Sequence, residues 1–140
     1  MIGRELILDS GMSRIERLYI RLFGVPINGL RNRARRILPL IDGRHTRILD
    51  AGCGQGIFTF EIARRFPRAT VTGIDINETL LERNRRIAES AGIDNCRFEH
   101  RDVTTGSPEP SHDLVLSVDM LEHVENDDAV LRFYHGSLAD

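Results

Sequence analysis

The stretch Asp50-Ala51-Gly52-Cys53-Gly54-Gln55-Gly56 decides how this chain is read. It follows the short apolar run Ile48-Leu49 and precedes Phe58, Ile62 and Phe66, which recur at helical spacing, so it is a strand-to-helix turn. Glycines there let the backbone turn sharply and let a ligand approach the main chain without meeting a Cβ, while the N–H groups of the coming helix face that ligand. A nucleotide-like ligand is implied. Tight turns also use glycine for structural reasons alone, so the surrounding pattern has to carry the argument.

Downstream, Val71 to Ile74 is a second apolar run, and Leu80, Ile87 and Ala91 give a helical stripe. Cys96 to Glu99 and Leu114 to Val118 read as third and fourth strands, the fourth continuous enough to be buried on both faces. The loop through Gly106-Ser107-Pro108-Glu109-Pro110 is too short and proline-rich for a full helix, and a last helix is expected from about Asp127 to Leu138. Strands alternating with helices predict an α/β fold with a parallel sheet and right-handed crossovers.

Upstream, Ile15, Leu18, Tyr19 and Leu22 recur at helical spacing between Ser13 and Phe23, and Ser13 followed by Glu16 has the form of a capping box. Gly24-Val25-Pro26 breaks that helix, and Leu30, Ala34, Ile37, Leu38 and Ile41 mark a second one ending near Gly43. Residues 1–46 thus form a helical arm ahead of the α/β part, 47–140.

The composition fits one soluble globular domain: 140 residues, 41% hydrophobic and 29% charged, with a net charge of −2. Disorder, collagen and a disulfide scaffold are excluded, and no stretch approaches the length of a membrane span. An N-terminus opening on Arg4, Glu5 and Asp9 is unlike a signal peptide, and Cys53 and Cys96 are too few and too far apart for a redox or zinc pattern. The expectation is a cytoplasmic protein with free thiols. All 19 basic residues are Arg; residues 1–47 hold ten of them against four acids, whereas 48–140 hold nine against seventeen. A basic arm beside an acidic body suggests contact between the two, a patch for an anionic partner, or simply solvated helix faces.

The dinucleotide fingerprint needs its third glycine at position 57, where this chain has Ile57; the third glycine comes one residue early, and Asp50 stands two residues before the first. D-x-G-x-G-x-G in this order resembles motif I of the class I S-adenosylmethionine-dependent methyltransferases. Other landmarks fall where that family places them. Asp75, 23 residues after Gly52, ends the second strand where a carboxylate can accept hydrogen bonds from both ribose hydroxyls, a placement NAD enzymes share. By resemblance Ile76 and Leu80 flank the adenine ring, though their spacing equally suits ordinary packing. Asp102 would accept from the adenine amino group and the Val103 N–H would donate to the ring, while an Asp at a strand end is otherwise a turn residue. Val118-Asp119-Met120-Leu121-Glu122-His123-Val124 resembles the strand-four motif of the family's small-molecule branch.

What the resemblance implies is a Rossmann-like domain binding S-adenosylmethionine through Asp50, Gly52, Cys53, Gly54, Asp75, Ile76, Leu80, Asp102, Val103 and Val118, and methylating an oxygen, nitrogen or carbon of a small molecule. His123 is the candidate base if the acceptor must lose a proton, or else caps a helix turn. Asp119 and Glu122 lack a third partner for a metal, so none is assigned. Arg31 or a neighbouring Arg of the arm is expected to cover the cofactor as part of a lid and pair with its carboxylate, and Tyr19 either lines the acceptor pocket or anchors its helix. The rivals are a non-catalytic nucleoside-binding module and an NAD-dependent oxidoreductase. Overall acidity and the lack of an aromatic-interleaved basic stretch speak against nucleic acid as acceptor. The resemblance covers 48–140, the N-terminal half to two-thirds of such a domain, which is expected to leave strand four as an exposed apolar edge and a site of self-association.

Overall fold

The computed structural model describes residues 2–26 and 28–139. Four strands, β1 (Arg47–Ala51), β2 (Thr70–Asp75), β3 (Cys96–His100) and β4 (Leu114–Leu116), form one parallel sheet in the order β3-β2-β1-β4. Ile48, Leu49, Val71 and Ile74 are all but inaccessible, because strands β1 and β2 lie between other strands and are covered on both faces. The strand order reverses direction at β1, and its C-terminal end is where an open α/β sheet places a ligand crevice.

Helices α3 (Ile57–Arg65), α4 (Glu78–Ala91) and α5 (Asp127–Ser137) cover the sheet. α3 is apolar nearly all round and buries Ile57, Phe58, Phe60, Ile62 and Ala63. α4 starts on Asn77, whose side chain accepts from the Leu80 N–H, and ends on Gly92 at φ 63. Its inward stripe is Leu81, Asn84, Ile87 and Ala88, so the sequence reading was one position off at Leu80, which is half-buried.

The arm contains α1 (Arg14–Phe23) and α2 (Asn28–Ile37), with single 3-10 turns at Arg4–Leu8 and Leu38–Leu40. The capping box is formed: Ser13 Oγ accepts from the Glu16 N–H at 3.3 Å and Glu16 Oε2 from the Ser13 N–H at 2.8 Å. The predicted apolar face of α1, however, points outward. Ile15, Leu18, Tyr19 and Leu22 are exposed and Ile20 alone is buried, since periodicity specifies a face but not what meets it. The arm is tied down elsewhere, by Leu6, Val25, Ala34 and Leu38 buried in the main core and by two ion pairs: buried Glu5 pairs with Arg64 of α3, and Asp9 with Arg83 of α4 at 2.7 Å.

β4 departs from expectation in two ways. It is three residues long, and each of them is only half-buried, because β1 is its single partner strand among the described residues. Ser117 and Val118 leave the ladder, carrying Val118 and Asp119 toward the crevice. After α5, Leu138 runs parallel beside His112, with the Ala139 N–H donating to the His112 carbonyl at 2.8 Å. No helix among the described residues is long and apolar enough to cross a membrane.

Candidate functional site

At the C-terminal end of β1 the chain turns through Gly52, Gly54 and Gly56, all in the left-handed region, with φ of 78, 49 and 73°. Gly52 has a second reason to lack a side chain: a Cβ there would lie 2.5 Å from Met120 Cγ. The turn is bound to its neighbours more tightly than the sequence suggests. The Gly52 and Cys53 N–H groups both donate to the Ile74 carbonyl at 2.9 Å, and the Gly54 N–H donates to Asp75 Oδ2 at 2.8 Å. These three N–H groups hold the turn against β2, while those expected to face a ligand belong to the start of α3, after Gly56.

Two cavities meet at Gly52. The first, of about 260 Å³, is lined by Asp50, Gly52, Cys53, Gly54, Gln55, Ile57 and Phe58, by Val118 and Asp119 after β4, and by Leu30 of the arm. The second, of about 230 Å³, is lined by Gly52, Ile74, Asp75 and Ile76, by Arg101 to Thr104, and by Met120, His123 and Val124. Nine of the ten expected binding residues line one or both. Leu80 lines neither.

Asp50 lies at the floor of the first cavity with 2% of its surface exposed. Its Oδ2 accepts from the Thr59 hydroxyl at 2.6 Å. Burial pushes its carboxyl up to about 6, a shift that the Thr59 hydrogen bonds oppose and the nearby Asp75 charge reinforces. That contact needs Gly73, opposite Asp50 in the β1–β2 register, where a Cβ would come within 2.9 Å of Thr59 Oγ1 and 3.0 Å of Cys53 Sγ. Burial likewise raises the Cys53 thiol, so it stays protonated.

Asp75 lines the second cavity, its Oδ2 engaged by Gly54 of the first and its Oδ1 accepting from the Asn77 N–H at 2.9 Å. A carboxylate has about four lone-pair sites, so each oxygen keeps room for another donor. Asp102 is occupied by its own loop: Oδ1 accepts from the Thr104 N–H and hydroxyl at 2.8 and 2.6 Å, and Oδ2 from the Thr105 hydroxyl at 3.0 Å. These hydrogen bonds, the Thr104 hydroxyl first, hold its carboxyl below the usual range.

His123 closes a 3-10 turn, Leu121–His123, and lies with Asp102 in the second cavity, away from Asp50 and Val118. Glu122 and Tyr19 line neither cavity. Of the four arginines clustered on α2, the one that reaches across is Arg33, whose Nε lies 2.7 Å from Asp119 Oδ1. Asp119 itself has φ 58, unusual for a residue with a side chain.

Sequence reasoning missed Thr59, Gly73 and Asn84. Each left a signal: a hydroxyl and an amide inside apolar helix stripes, and a glycine inside an apolar strand, the mark of close approach by another group.

Residues 42–136 match the family described as "Methyltransferase domain". The chain is 37% identical over 102 residues to the ubiquinone biosynthesis O-methyltransferase of Neisseria meningitidis serogroup C, covering 68% of this chain and 42% of that one. It is 34% identical over 84 residues to the trans-aconitate 2-methyltransferase of an Enterobacter species, covering 60% of this chain and 31% of that one. Among solved structures it is similar to an S-adenosylmethionine-dependent methyltransferase from Mesorhizobium loti, with a TM-score of 0.64 and 29% identity over 76% of this chain and 49% of that one. The chain thus spans under half the length of each of these proteins.

Proposed function

The chain belongs to the methyltransferase-domain family, and from that premise we propose that its two cavities hold S-adenosylmethionine and that the protein methylates an oxygen, nitrogen or carbon nucleophile of a small molecule. The observation that carries this reading is the junction at Gly52. Two cavities of similar size adjoin there over bare main chain, and Asp75, which lines the second, takes on its carboxylate the N–H of Gly54, which lines the first. An elongated ligand with a sugar in its middle suits that arrangement. The residues fit the cofactor: Asp75 would take the ribose hydroxyls, Ile76, Asp102 and Val103 the nucleobase, and Asp50, Cys53, Gly54 and Val118 the amino-acid end. Leu80 would border the base from α4.

When bound, the cofactor supplies a methyl group on a sulfonium, already activated for displacement. What the chain contributes is alignment and exclusion of water, through the apolar walls formed by Leu30, Ile57, Phe58 and Val118. His123, the sequence's candidate base, is assigned to the nucleobase end by its place beside Asp102. The arm, residues 1–46, acts as the lid, held by Arg33. Two free, half-buried thiols support a reducing, cytoplasmic setting, and the edge of β4 is the surface through which copies would associate. The similar proteins named for ubiquinone biosynthesis and trans-aconitate support a small organic acceptor.

Calorimetric titration with S-adenosylhomocysteine, the stable product form, tests the reading. Saturable binding on the order of micromolar, undisturbed by excess NAD, is the expected result. Binding of NAD in preference would restore the oxidoreductase reading and overturn this one.

A further inference from the structure

Asn84 is fully buried in the inward stripe of α4, between Leu81 and Ile87, where every other member is apolar. An amide in such a place is tolerated only if it is hydrogen-bonded. Its Nδ2 donates to the Gly54 carbonyl at 2.8 Å, whereas its Oδ1 has no partner. The orientation of the amide is fixed by chemistry, since a carbonyl can only accept. The unpaired oxygen means that Asn84 is a costly way to fill space. What that cost secures is the carbonyl of one glycine.

Gly54 is held from both sides. Its N–H donates to Asp75 Oδ2 at 2.8 Å, and its carbonyl accepts from Asn84 at 2.8 Å. No other heavy atom lies within 4 Å of where its Cβ would be, so packing does not fix its left-handed φ of 49°; the hydrogen bonds do. Asn84 also lies against Gly56, where a Cβ would come within 3.0 Å of Nδ2. One side chain from α4 therefore touches two of the three motif glycines, and through Gly54 it is linked to Oδ2 of Asp75, which lines the second cavity.

We infer that Asn84 is a positioning residue for the cofactor: by clamping the Gly54 carbonyl it aims the Gly54 N–H at Asp75 and so holds the carboxylate that receives the ribose. The inference rests on the cofactor reading given above. It assigns to α4, outside the glycine turn and both cavities, a share of cofactor affinity.

The test compares S-adenosylhomocysteine binding by the wild type, Asn84→Asp and Asn84→Ala between about pH 6 and pH 8, with folding checked by circular dichroism. Asn84→Asp keeps the shape and, when ionised, turns an acceptor toward the Gly54 carbonyl. At the upper pH its affinity is expected to fall about tenfold, the loss of one well-made hydrogen bond. As the pH falls the carboxyl takes up a proton, donates to the same carbonyl, and the gap to wild type closes. Asn84→Ala shows a similar loss at every pH and decides the matter if the Asp variant does not fold. Asp50 is common to all three proteins, so its titration cancels in the ratios. A gap in Asn84→Asp that ignores pH, or wild-type affinity in both variants while the wild type binds, overturns this inference and leaves the cofactor reading standing. A folded wild type that does not bind overturns both.

Discussion

Arg33 and Asp119 join the arm to the far wall of the first cavity, Nε to Oδ1 at 2.7 Å, and Asp119 is the one residue other than glycine with a positive φ among the described residues. Both side chains are more than a third exposed, so the pair adds little to folding and is screened by salt. Its consequence lies in how long a bound ligand stays.

Arg33→Ala is expected to weaken S-adenosylhomocysteine binding by about fivefold or less, almost all of it in the dissociation rate. Stopped-flow measurements at low and high salt check this. The difference from wild type should shrink as salt rises, and a salt-independent difference would mean that Arg33 acts other than through its charge.

Asp75→Ala removes the carboxylate that fixes the Gly54 N–H and, on the cofactor reading proposed above, the acceptor for the ribose hydroxyls. Hydrogen bonds to a charged group contribute about 1.5–3 kcal/mol each. Affinity for S-adenosylhomocysteine should therefore fall by about a hundredfold or more in a calorimetric titration, with the melting temperature changed far less.

Asp50 makes stability depend on pH in an unusual direction. Its carboxyl titrates near 6 in the folded chain against an ordinary value of 3.8, so the folded state binds the proton more tightly. Ionised Asp50 costs about 3 kcal/mol or less above pH 6, and that cost is relieved as pH falls from 6 toward 4. Asp9, Asp102 and Asp113, whose carboxyls are held low by hydrogen bonds, oppose this only as pH drops through their own range below 4. His112, whose burial holds its pKa below the ordinary value, opposes it in the same window, so the Asp50 contribution is read as the difference between wild type and Asp50→Asn in urea unfolding near pH 4.5 and near pH 8. In Asp50→Asn that contribution should be lost and the stability near pH 8 should rise.

Gly73→Ala places a methyl group 2.9 Å from Thr59 Oγ1 and 3.0 Å from Phe98 Cδ1, in a strand with no space to yield. Overpacking of this kind costs about 1–3 kcal/mol. Thermal denaturation should register it, and with the Thr59 hydrogen bond to Asp50 weakened the Asp50 carboxyl should move further up, seen as a pH dependence that extends to higher pH.

The α/β fold, the four strands and the glycine turn were legible because their signals are local: period, breakers and caps within a few residues of each other. That Asp50, Asp75 and Val103 lie at one end of the sheet, lining two adjoining cavities, was legible because strand ends in a parallel sheet converge. What was not legible depended on distant partners. Ile15 and Leu22 carry the pattern of a core-facing helix, yet face outward, because a period says nothing of the partner. β4 read as a strand covered on both faces, yet with β1 as its one neighbouring strand among the described residues it is half-buried. Asn84 is set among apolar neighbours, and nothing within its own helix says what it meets. Its meaning lies 30 residues back, at Gly54.

The sheet order also implies an order in time. The Gly54–Asp75 bond spans 21 residues of chain, whereas the Asp113 carboxylate reaches Thr46 across 67. Loop closure disfavours the longer span, and contacts near in sequence form sooner. The β1–α3–β2 unit, with its glycine turn and the Gly54–Asp75 bond, can thus assemble before β4 arrives to bring Asp119 to Arg33. The glycine turn would exist as part of a folding nucleus while the ion pair across the first cavity is still unmade, so a ligand that needs both should speed the later steps of refolding more than the first.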